Sequence, residues 1–326
     1  MTAPASAADA EGTAVAAAPP SRRRRGGTGP RGGGRLADLF GVGPPLLLFL
    51  VFIIVPMIAA VAMSFVKWNG LGTPRWAGGS NWAEFFRDPV ARTSVEVTVK
   101  VVVLSYVVQT PISLGLGLFT AGRQRYKTVY ATIFVLPLLM STAGIALMWE
   151  SLLDPNFGAL TALSKSWGLS FLDQNWLGDP HLTLYVVVAI IAWQFIPFHT
   201  LLYAVGRRQV PAVLYEAALL DGASPWQMFR RVTLPQLRYT IVTSGILMIV
   251  GSLTYFDIVY IMTDGGPGYT TRVLSLDMYN AAFLQDQYGY ASVLAVVLGV
   301  LGIAVAVGLV RFSGFASMTS QQEGAA

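Results

Sequence analysis

The chain has 326 residues, of which 54% are hydrophobic and only 12% are charged, with a mean hydropathy of +0.57. Soluble domains carry charge on roughly a quarter of their residues, so this composition argues against a surface that faces water on all sides. The absence of cysteine excludes disulfides and thiolate chemistry, and the two histidines, His181 and His199, lie on different segments without a carboxylate cluster, which argues against a metal site.

The first 43 residues form the first distinct segment. Residues 1–43 are rich in Ala, Gly, Pro and Arg, and they contain a run of four arginines from Arg22 to Arg25. Such a stretch cannot bury enough apolar surface to fold, so we expect a disordered basic tail. Residues 60–62 resemble a signal-peptidase site, but the apolar run before them is too long for a signal core. We therefore expect the first apolar stretch to be retained as a membrane span.

Six apolar stretches follow this tail. Each is long enough to cross a hydrocarbon core as a helix, which takes about 20 residues, and helices are required because lipid offers the backbone no hydrogen-bond partners. The second stretch is the least uniform, since Glu96 and Lys100 lie four residues apart near its start, where they can pair. We predict an all-α integral membrane protein with a six-helix domain over 44–311 and a C-terminal tail over 312–326. The six stretches lie near residues 44–66, 95–120, 127–150, 182–206, 239–262 and 291–311.

The distribution of basic residues predicts the orientation in the membrane. If the N-terminus is cytoplasmic, fifteen of the 22 basic residues fall on inner segments and seven on outer segments. The positive-inside rule then predicts a multi-pass protein of the cell membrane with both termini in the cytoplasm. This bias accounts for the isoelectric point of about 9.5 without a nucleic-acid partner. We also expect the arginine-rich tail to lie against anionic membrane lipid.

Residues 207–238, between the fourth and fifth stretches, are too polar to span a membrane and too patterned for a linker. The first half contains good helix formers, and Gly222 can take the left-handed conformation that ends a helix. Ser224 and Pro225 suit the N-cap and the first position of a second helix, which we expect Pro235 to end. The pattern predicts a cytoplasmic helix-turn-helix with exposed apolar and charged side chains, as in a docking surface.

This segment resembles the EAA loop of the permease subunits of binding-protein-dependent ABC importers. The pattern of that loop is Glu-Ala-Ala, a glycine after three intervening residues, and a Leu-Pro pair after eleven more. Its fuller form is similar to the carbohydrate-uptake branch, the relatives of the maltose and glycerol-phosphate permeases. The matching residues are Glu216, Ala217, Ala218, Asp221, Gly222, Ala223, Phe229, Leu234 and Pro235.

Two further stretches resemble the same branch. Residues 193–198 are similar to its Trp-x-x-x-Pro-Phe segment, and residues 263–267 to its Thr-x-Gly-Gly-Pro turn after the fifth span. The resemblance covers residues 44–311 and implies the permease fold of a type I ABC importer. It also implies that 207–238 is a coupling loop that sits in a groove of an ATPase subunit. There Glu216 would meet basic groups, while Gly222 would make the turn and the nearby alanines would allow close approach.

The resemblance also implies partners. The chain has no G-x-x-x-x-G-K-[ST] phosphate loop, so we expect ATP and magnesium on a separate ATPase dimer, no cofactor on this chain, and no enzymatic activity of its own. A second permease subunit, in a heterodimer, and an extracytoplasmic solute-binding protein complete the implied importer. Its substrate would be a sugar or an oligosaccharide.

Polar and aromatic side chains in the fourth and fifth stretches are candidates for the substrate pathway. Gln194 and Phe198 share a helix face at i, i+4, as do Ser252 and Tyr255 at i, i+3, and Asp257 is expected near the outer end of the fifth stretch. A sugar uses aromatic faces for its C–H surface and amide, hydroxyl or carboxylate groups for its hydroxyls. We therefore expect the first four to point into a shared cavity. The alternatives are helix packing and interhelical hydrogen bonds and, for Asp257, a cap on the outer turn.

Other functional classes stay open as alternatives. A secondary transporter usually has more spans and several intramembrane ionisable residues, whereas Asp257 is nearly the sole acidic candidate here. A permease for a non-sugar solute would share the same loop. A membrane-embedded enzyme would need an activated nucleophile, and the sequence places no His or Asp to activate a serine or threonine.

Overall fold

The computed structural model describes residues 43–122 and 125–313. The predicted tails, 1–43 and 312–326, fall almost entirely outside the described residues. The described chain is mainly helical, with one short antiparallel hairpin of β1 (Val66–Lys67) and β2 (Arg75–Trp76). The helices are α1 (Gly43–Met63), α2 (Ser80–Arg87), α3 (Pro89–Thr120), α4 (Arg125–Leu139), α5 (Thr142–Leu152), α6 (Ala159–Trp167), α7 (Thr183–Gln209), α8 (Ala212–Leu220), α9 (Pro225–Met228), α10 (Arg238–Ser252), α11 (Asp257–Thr263), α12 (Leu274–Tyr279) and α13 (Tyr288–Ser313).

Four of these helices, α1, α3, α7 and α13, are long and apolar enough to cross a membrane without interruption. The pairs α4–α5 and α10–α11 meet the same criterion only as bent pairs, with bends of 99° and 45°. The described residues therefore hold four candidate spans, or six if each bent pair is one span. The count of six stays a prediction, and the stretches 127–150 and 239–262 are not single helices.

The bend between α4 and α5 has a local cause. Pro137 lies in the last turn of α4, where it cannot donate a backbone hydrogen bond. Ser141 then takes an extended conformation, with ψ of 135°, before α5 begins. Hydropathy alone does not register this break because the residues on both sides of it are apolar.

The second predicted stretch begins earlier than its apolar part. Asp88 caps α3 by accepting a hydrogen bond of 2.8 Å from the backbone N–H of Val90, and Pro89 occupies the first helical position, which suits its fixed φ. The helix therefore starts at Pro89, six residues before the predicted 95. Its opening turns carry the Glu96–Lys100 ion pair, whose charged atoms are 2.7 Å apart and exposed.

The core of the described bundle forms where α3 packs along α7. Val101, Val187 and Ile191 are fully buried there together with Ile145 of α5. Close approach is possible at Gly117, because a Cβ on this residue would lie only 2.6 Å from the Cβ of Tyr203. Small residues allow membrane helices to pack at such distances. This contact fixes α7, and α7 leads directly into the predicted coupling loop.

Candidate functional site

The first candidate site is the elbow, which we define as residues 212–236. Its first helix, α8, ends at Gly222, whose φ is +72°. The N–H of Gly222 donates to the carbonyl of Leu219 at 3.0 Å, and the N–H of Ala223 donates to that of Ala218 at 2.9 Å. This pair of bonds is the Schellman motif, which satisfies the last carbonyls of a helix. The predicted left-handed conformation of Gly222 is confirmed.

The second helix of the elbow begins with a capping box. The Ser224 Oγ accepts from the N–H of Gln227 at 3.3 Å, and the Gln227 Oε1 accepts from the N–H of Ser224 at 2.8 Å. The predicted N-cap role of Ser224 and the position of Pro225 at the helix start are confirmed. Our sequence interpretation missed the partner, although Ser-x-x-Gln is the recognisable signature of this box.

The prediction that Pro235 ends the second helix is wrong. After α9, the chain continues through a π-helical turn at Phe229–Thr233 and a last helical turn at Leu234–Gln236. The wider π turn lies directly before Pro235, which lacks an N–H and whose ring clashes with the carbonyl four residues earlier in a regular helix. The helical path breaks only at Leu237, where ψ is 0°, and α10 follows.

The two halves of the elbow are tied together by a polar contact. The hydroxyls of Tyr215 on α8 and Thr233 in the π turn are 3.0 Å apart. The guanidinium of Arg207, at the end of α7, lies 3.8 Å from the centre of the Tyr215 ring, within the range of a cation–π contact. Tyr215 therefore links the elbow to α7. Sequence spacing does not reveal this link, because Tyr215 and Thr233 are 18 residues apart.

The elbow exposes apolar side chains that no described residue covers. Val213 is 69% exposed, Leu220 is 90% exposed, and Trp226 is 66% exposed although its ring lies 5.3 Å from that of Phe229. Of the residues predicted to couple to an ATPase, Glu216, Ala217, Asp221, Gly222 and Pro235 are exposed, and Ala218, Ala223, Phe229 and Leu234 are half-buried. The surface has the character of a docking site. The coupling role of these nine residues stays a prediction.

The second candidate site is a cavity of about 410 Å³ at the bend between α10 and α11, which we call the bend cavity. It mixes aromatic faces with hydrogen-bonding groups, and the Phe195 and Tyr255 rings lie 5.4 Å apart at its edge. Such a lining is suited to a ligand that has both C–H faces and hydroxyls. The polar and aromatic residues around it include Thr142, Phe195, Phe198, His199, Tyr255 and Asp257.

The structure brings Phe198, Tyr255 and Asp257 to the bend cavity but does not bring Gln194 and Ser252 there. The Ser252 hydroxyl instead bonds to the carbonyl of Met248 at 2.7 Å, within its own helix. Our expectation of a cavity shared by all four residues is therefore wrong for Gln194 and Ser252, neither of which is in its lining. The roles of these residues in transport stay predictions.

Gln194 is buried beside the bend cavity and contacts Thr142, which lines that cavity. Its side chain is 2% exposed, and its Nε2 donates to Thr142 Oγ1 at 3.2 Å.

Asp257 begins α11 at the bend and not at the outer end of the fifth stretch, because the helix resumes there and runs on to Thr263. Asp257 is thus placed to face the cavity from the break.

Sequence reasoning missed several buried polar residues. His199 lines the bend cavity, and its Nδ1 lies 2.8 Å from the Ser244 Oγ on α10. Ser105 and Gln109 on α3 are fully buried as well. Ser105 and Gln109 lie four residues apart on one face of α3, a spacing that could have indicated a buried polar face. Buried polar groups in membrane-spanning helices are costly and often line a pathway.

A third polar cluster holds the turn after α11. Arg272 and Asp277 form a largely buried ion pair, with charged atoms 2.6 Å apart, and burial raises the pKa of the Asp277 carboxyl while Arg272 opposes that shift. The Thr263 and Thr271 hydroxyls lie 2.8 Å apart, and Thr271 also donates to the carbonyl of Gly266. These bonds explain the Thr-x-Gly-Gly-Pro pattern as a structural turn. No group of three metal-ligating side chains occurs within the described ranges.

Comparisons with known proteins agree with this architecture. A family model described as "Binding-protein-dependent transport system inner membrane component" matches residues 112–315. A probable ABC transporter permease protein of Pyrococcus horikoshii is 32% identical over 267 residues, which cover 80% of this chain and 90% of that protein. A trehalose/maltose transport system permease protein of Thermococcus litoralis is also 32% identical, over 259 residues, 79% of this chain and 87% of that protein.

A solved structure shares the fold. It is a bacterial alginate ABC transporter in complex with an alginate pentasaccharide-bound periplasmic protein. The similar chain in it aligns with a TM-score of 0.74 at 22% identity, and the alignment covers 87% of this chain and 96% of that one. At this level of identity the similarity is evidence for the fold alone.

Proposed function

The chain belongs to the family of binding-protein-dependent transport system inner membrane components, and from this premise we propose that it is the permease subunit of an ATP-driven sugar importer. It is a multi-pass membrane component of an ABC transporter, which is consistent with a non-enzymatic role. The observation that carries the sugar assignment is the bend cavity, where Phe198 and Tyr255 offer aromatic faces and Asp257 a carboxylate. The relative that transports trehalose and maltose supports this substrate class.

The elbow supports an ATPase partner. Its exposed Leu220 and Trp226 are apolar groups on a segment outside the candidate membrane spans, and Glu216 and Asp221 add exposed carboxylates nearby. A short helix that exposes apolar side chains in this way can dock into a groove of a partner. ATP and magnesium would bind to that ATPase dimer, and closure of the dimer would move the elbow.

The remaining parts of the importer follow from the same premise. A second permease subunit would complete the pathway as a heterodimer, and an extracytoplasmic solute-binding protein would deliver the sugar. The alginate transporter that shares this fold was solved with such a periplasmic protein. With the positive-inside orientation, the elbow and both termini would be cytoplasmic, and residues 151–181 would lie outside.

The experiment is purification of the affinity-tagged chain from its own cells, followed by reconstitution of the isolated complex in vesicles. We expect an ATPase and a second permease to co-purify, and the vesicles to accumulate maltose or trehalose only with ATP and the solute-binding protein. Accumulation driven by an ion gradient without ATP would assign a secondary transporter instead. ATP-dependent accumulation of proline and of neither sugar would assign a non-sugar permease.

A further inference from the structure

Six aromatic rings form a continuous series of contacts beside the fifth and sixth stretches. Phe256, Tyr260 and Tyr279 contact one another, with ring centres 5.0 to 5.4 Å apart. The series continues from Tyr279 to Phe283 at 5.2 Å, to Tyr288 at 6.4 Å and to Trp68 at 5.5 Å. These distances lie within the range of favourable ring contacts. We call the six residues the aromatic track, which consists of Trp68, Phe256, Tyr260, Tyr279, Phe283 and Tyr288.

The aromatic track links three concave regions of the structure. Phe256 lines both the bend cavity and a second groove of about 320 Å³, whose lining also includes Tyr279, Phe283 and Tyr288. Trp68 lines a third region of about 630 Å³ beside the β1–β2 hairpin, which we call the hairpin pocket. One run of rings therefore leads from the hairpin pocket, through the groove, to the bend cavity.

The chemistry changes along the track in a way that suits a sugar. The hairpin pocket is polar, with Lys67, Asn69, Glu84 and Asp286 in its lining, so it offers partners for hydroxyls. The groove is largely apolar apart from its two tyrosines and two serines, Ser275 and Ser292, and Phe283 is 64% exposed. Exposed ring faces are suited to the C–H face of a pyranose.

We propose that the aromatic track guides pyranose rings from the hairpin pocket to the bend cavity. The inference rests on the proposed function and adds a route to it. An interfacial aromatic belt would be the simplest alternative, but belt residues lie at one depth around a membrane protein. These rings instead connect a pocket beside a hairpin with a cavity at a helix break, and consecutive rings contact each other throughout.

Phe283 allows the sharpest test. Phe283→Leu keeps an apolar side chain of similar size but removes the ring, whereas Phe283→Tyr keeps the ring. Phe171→Leu is the matched control, because Phe171 is similarly exposed at 61% and lies outside the track. The measurement is the initial rate of ATP-dependent maltose and trehalose uptake by the reconstituted complex over a range of sugar concentrations.

We expect Phe283→Leu to raise the half-saturating sugar concentration about fivefold, which corresponds to losing an aromatic contact of about 1 kcal/mol. Phe283→Tyr and Phe171→Leu should match the parent, with unchanged recovery of the second permease. Parental uptake by Phe283→Leu would overturn the track. Loss of the second permease from the Phe283→Leu complex would show a subunit contact instead, and equal impairment of Phe171→Leu would show a lipid belt.

A thiol measurement tests the track without a transport assay. The chain has no cysteine, and Ser292 lines the groove beside Phe256 and Tyr288, so Ser292→Cys places one thiol there. We expect saturating maltose with the solute-binding protein to slow its reaction with a small methanethiosulfonate reagent, while a Ser166→Cys control reacts at an unchanged rate. Unchanged labelling of both in a complex that transports maltose would refute the track alone. A parent complex that transports a non-sugar would overturn both proposals.

Discussion

Replacing Gly222 with valine tests whether the turn of the elbow couples the chain to an ATPase. A φ of +72° costs a residue with a Cβ about 1–2 kcal/mol, and β-branched residues adopt it least readily. Within the described residues, no heavy atom lies within 4 Å of where a Cβ would stand, so the cost is conformational and not steric. The two turn hydrogen bonds depend on the same angle and contribute about 0.5–1.5 kcal/mol each. These bonds form in the turn with either residue, so the change on substitution is the conformational cost of about 1–2 kcal/mol, which lowers the equilibrium constant for the turn roughly 5- to 30-fold.

The assay is sugar uptake and ATP hydrolysis by the reconstituted complex, normalised to the amount of chain in the membrane. We expect Gly222→Val to lose about fivefold to thirtyfold in uptake while its membrane abundance stays close to the parent's. Gly222→Asn is the control, since asparagine tolerates the left-handed conformation better than other residues. Normal uptake by Gly222→Val would refute the reasoning. Equal loss in both variants would show that the backbone angle is not the cause.

We expect the thiols of Ser166→Cys and Leu220→Cys, two exposed positions, to react with an impermeant reagent from opposite sides of the membrane. Reaction of both thiols from the same side would contradict the positive-inside orientation. Tyr255→Ala is expected to lower uptake about twofold to tenfold, whereas Ser252→Ala stays near the parent, because only Tyr255 lines the bend cavity; equal uptake by the two variants would contradict this placement. Asp277→Ala is expected to destabilise the chain by about 3–5 kcal/mol in thermal unfolding, since it leaves a buried guanidinium without a counter-charge, and an unchanged unfolding temperature would contradict this role.

The features that were predictable from sequence are local ones. The turn at Gly222 and the cap at Ser224 depend on residues at most a few positions apart, so their spacing is visible in the chain. The apolar stretches were visible for the same reason. The prediction that Pro235 ends the second helix failed because a π-helical turn precedes this proline, and its wider geometry accommodates a residue that would end a regular helix.

The features that sequence could not provide depend on contacts between distant segments. His199 and Ser244 are 45 residues apart, and Tyr288 contacts Trp68 across most of the chain. Periodicity assigns a residue to a helix face but does not say which other helix that face meets. Ser252 shows the same limit, since its hydroxyl is satisfied within α10 and so does not need the cavity that its helix face suggested.

The 45° break between α10 and α11 has a consequence for how such a chain could change its substrate. The bend cavity lies at this break, and α11 begins there at Asp257. The residue at which α11 begins determines which of its side chains face the cavity. Successive residues of an α-helix are about 100° apart around its axis. A one-residue insertion or deletion between Ser252 and Asp257 would therefore turn a new face of α11 toward the cavity and exchange its lining in one step. Substrate range in this fold would then change by shifts in helix phase as well as by point substitutions.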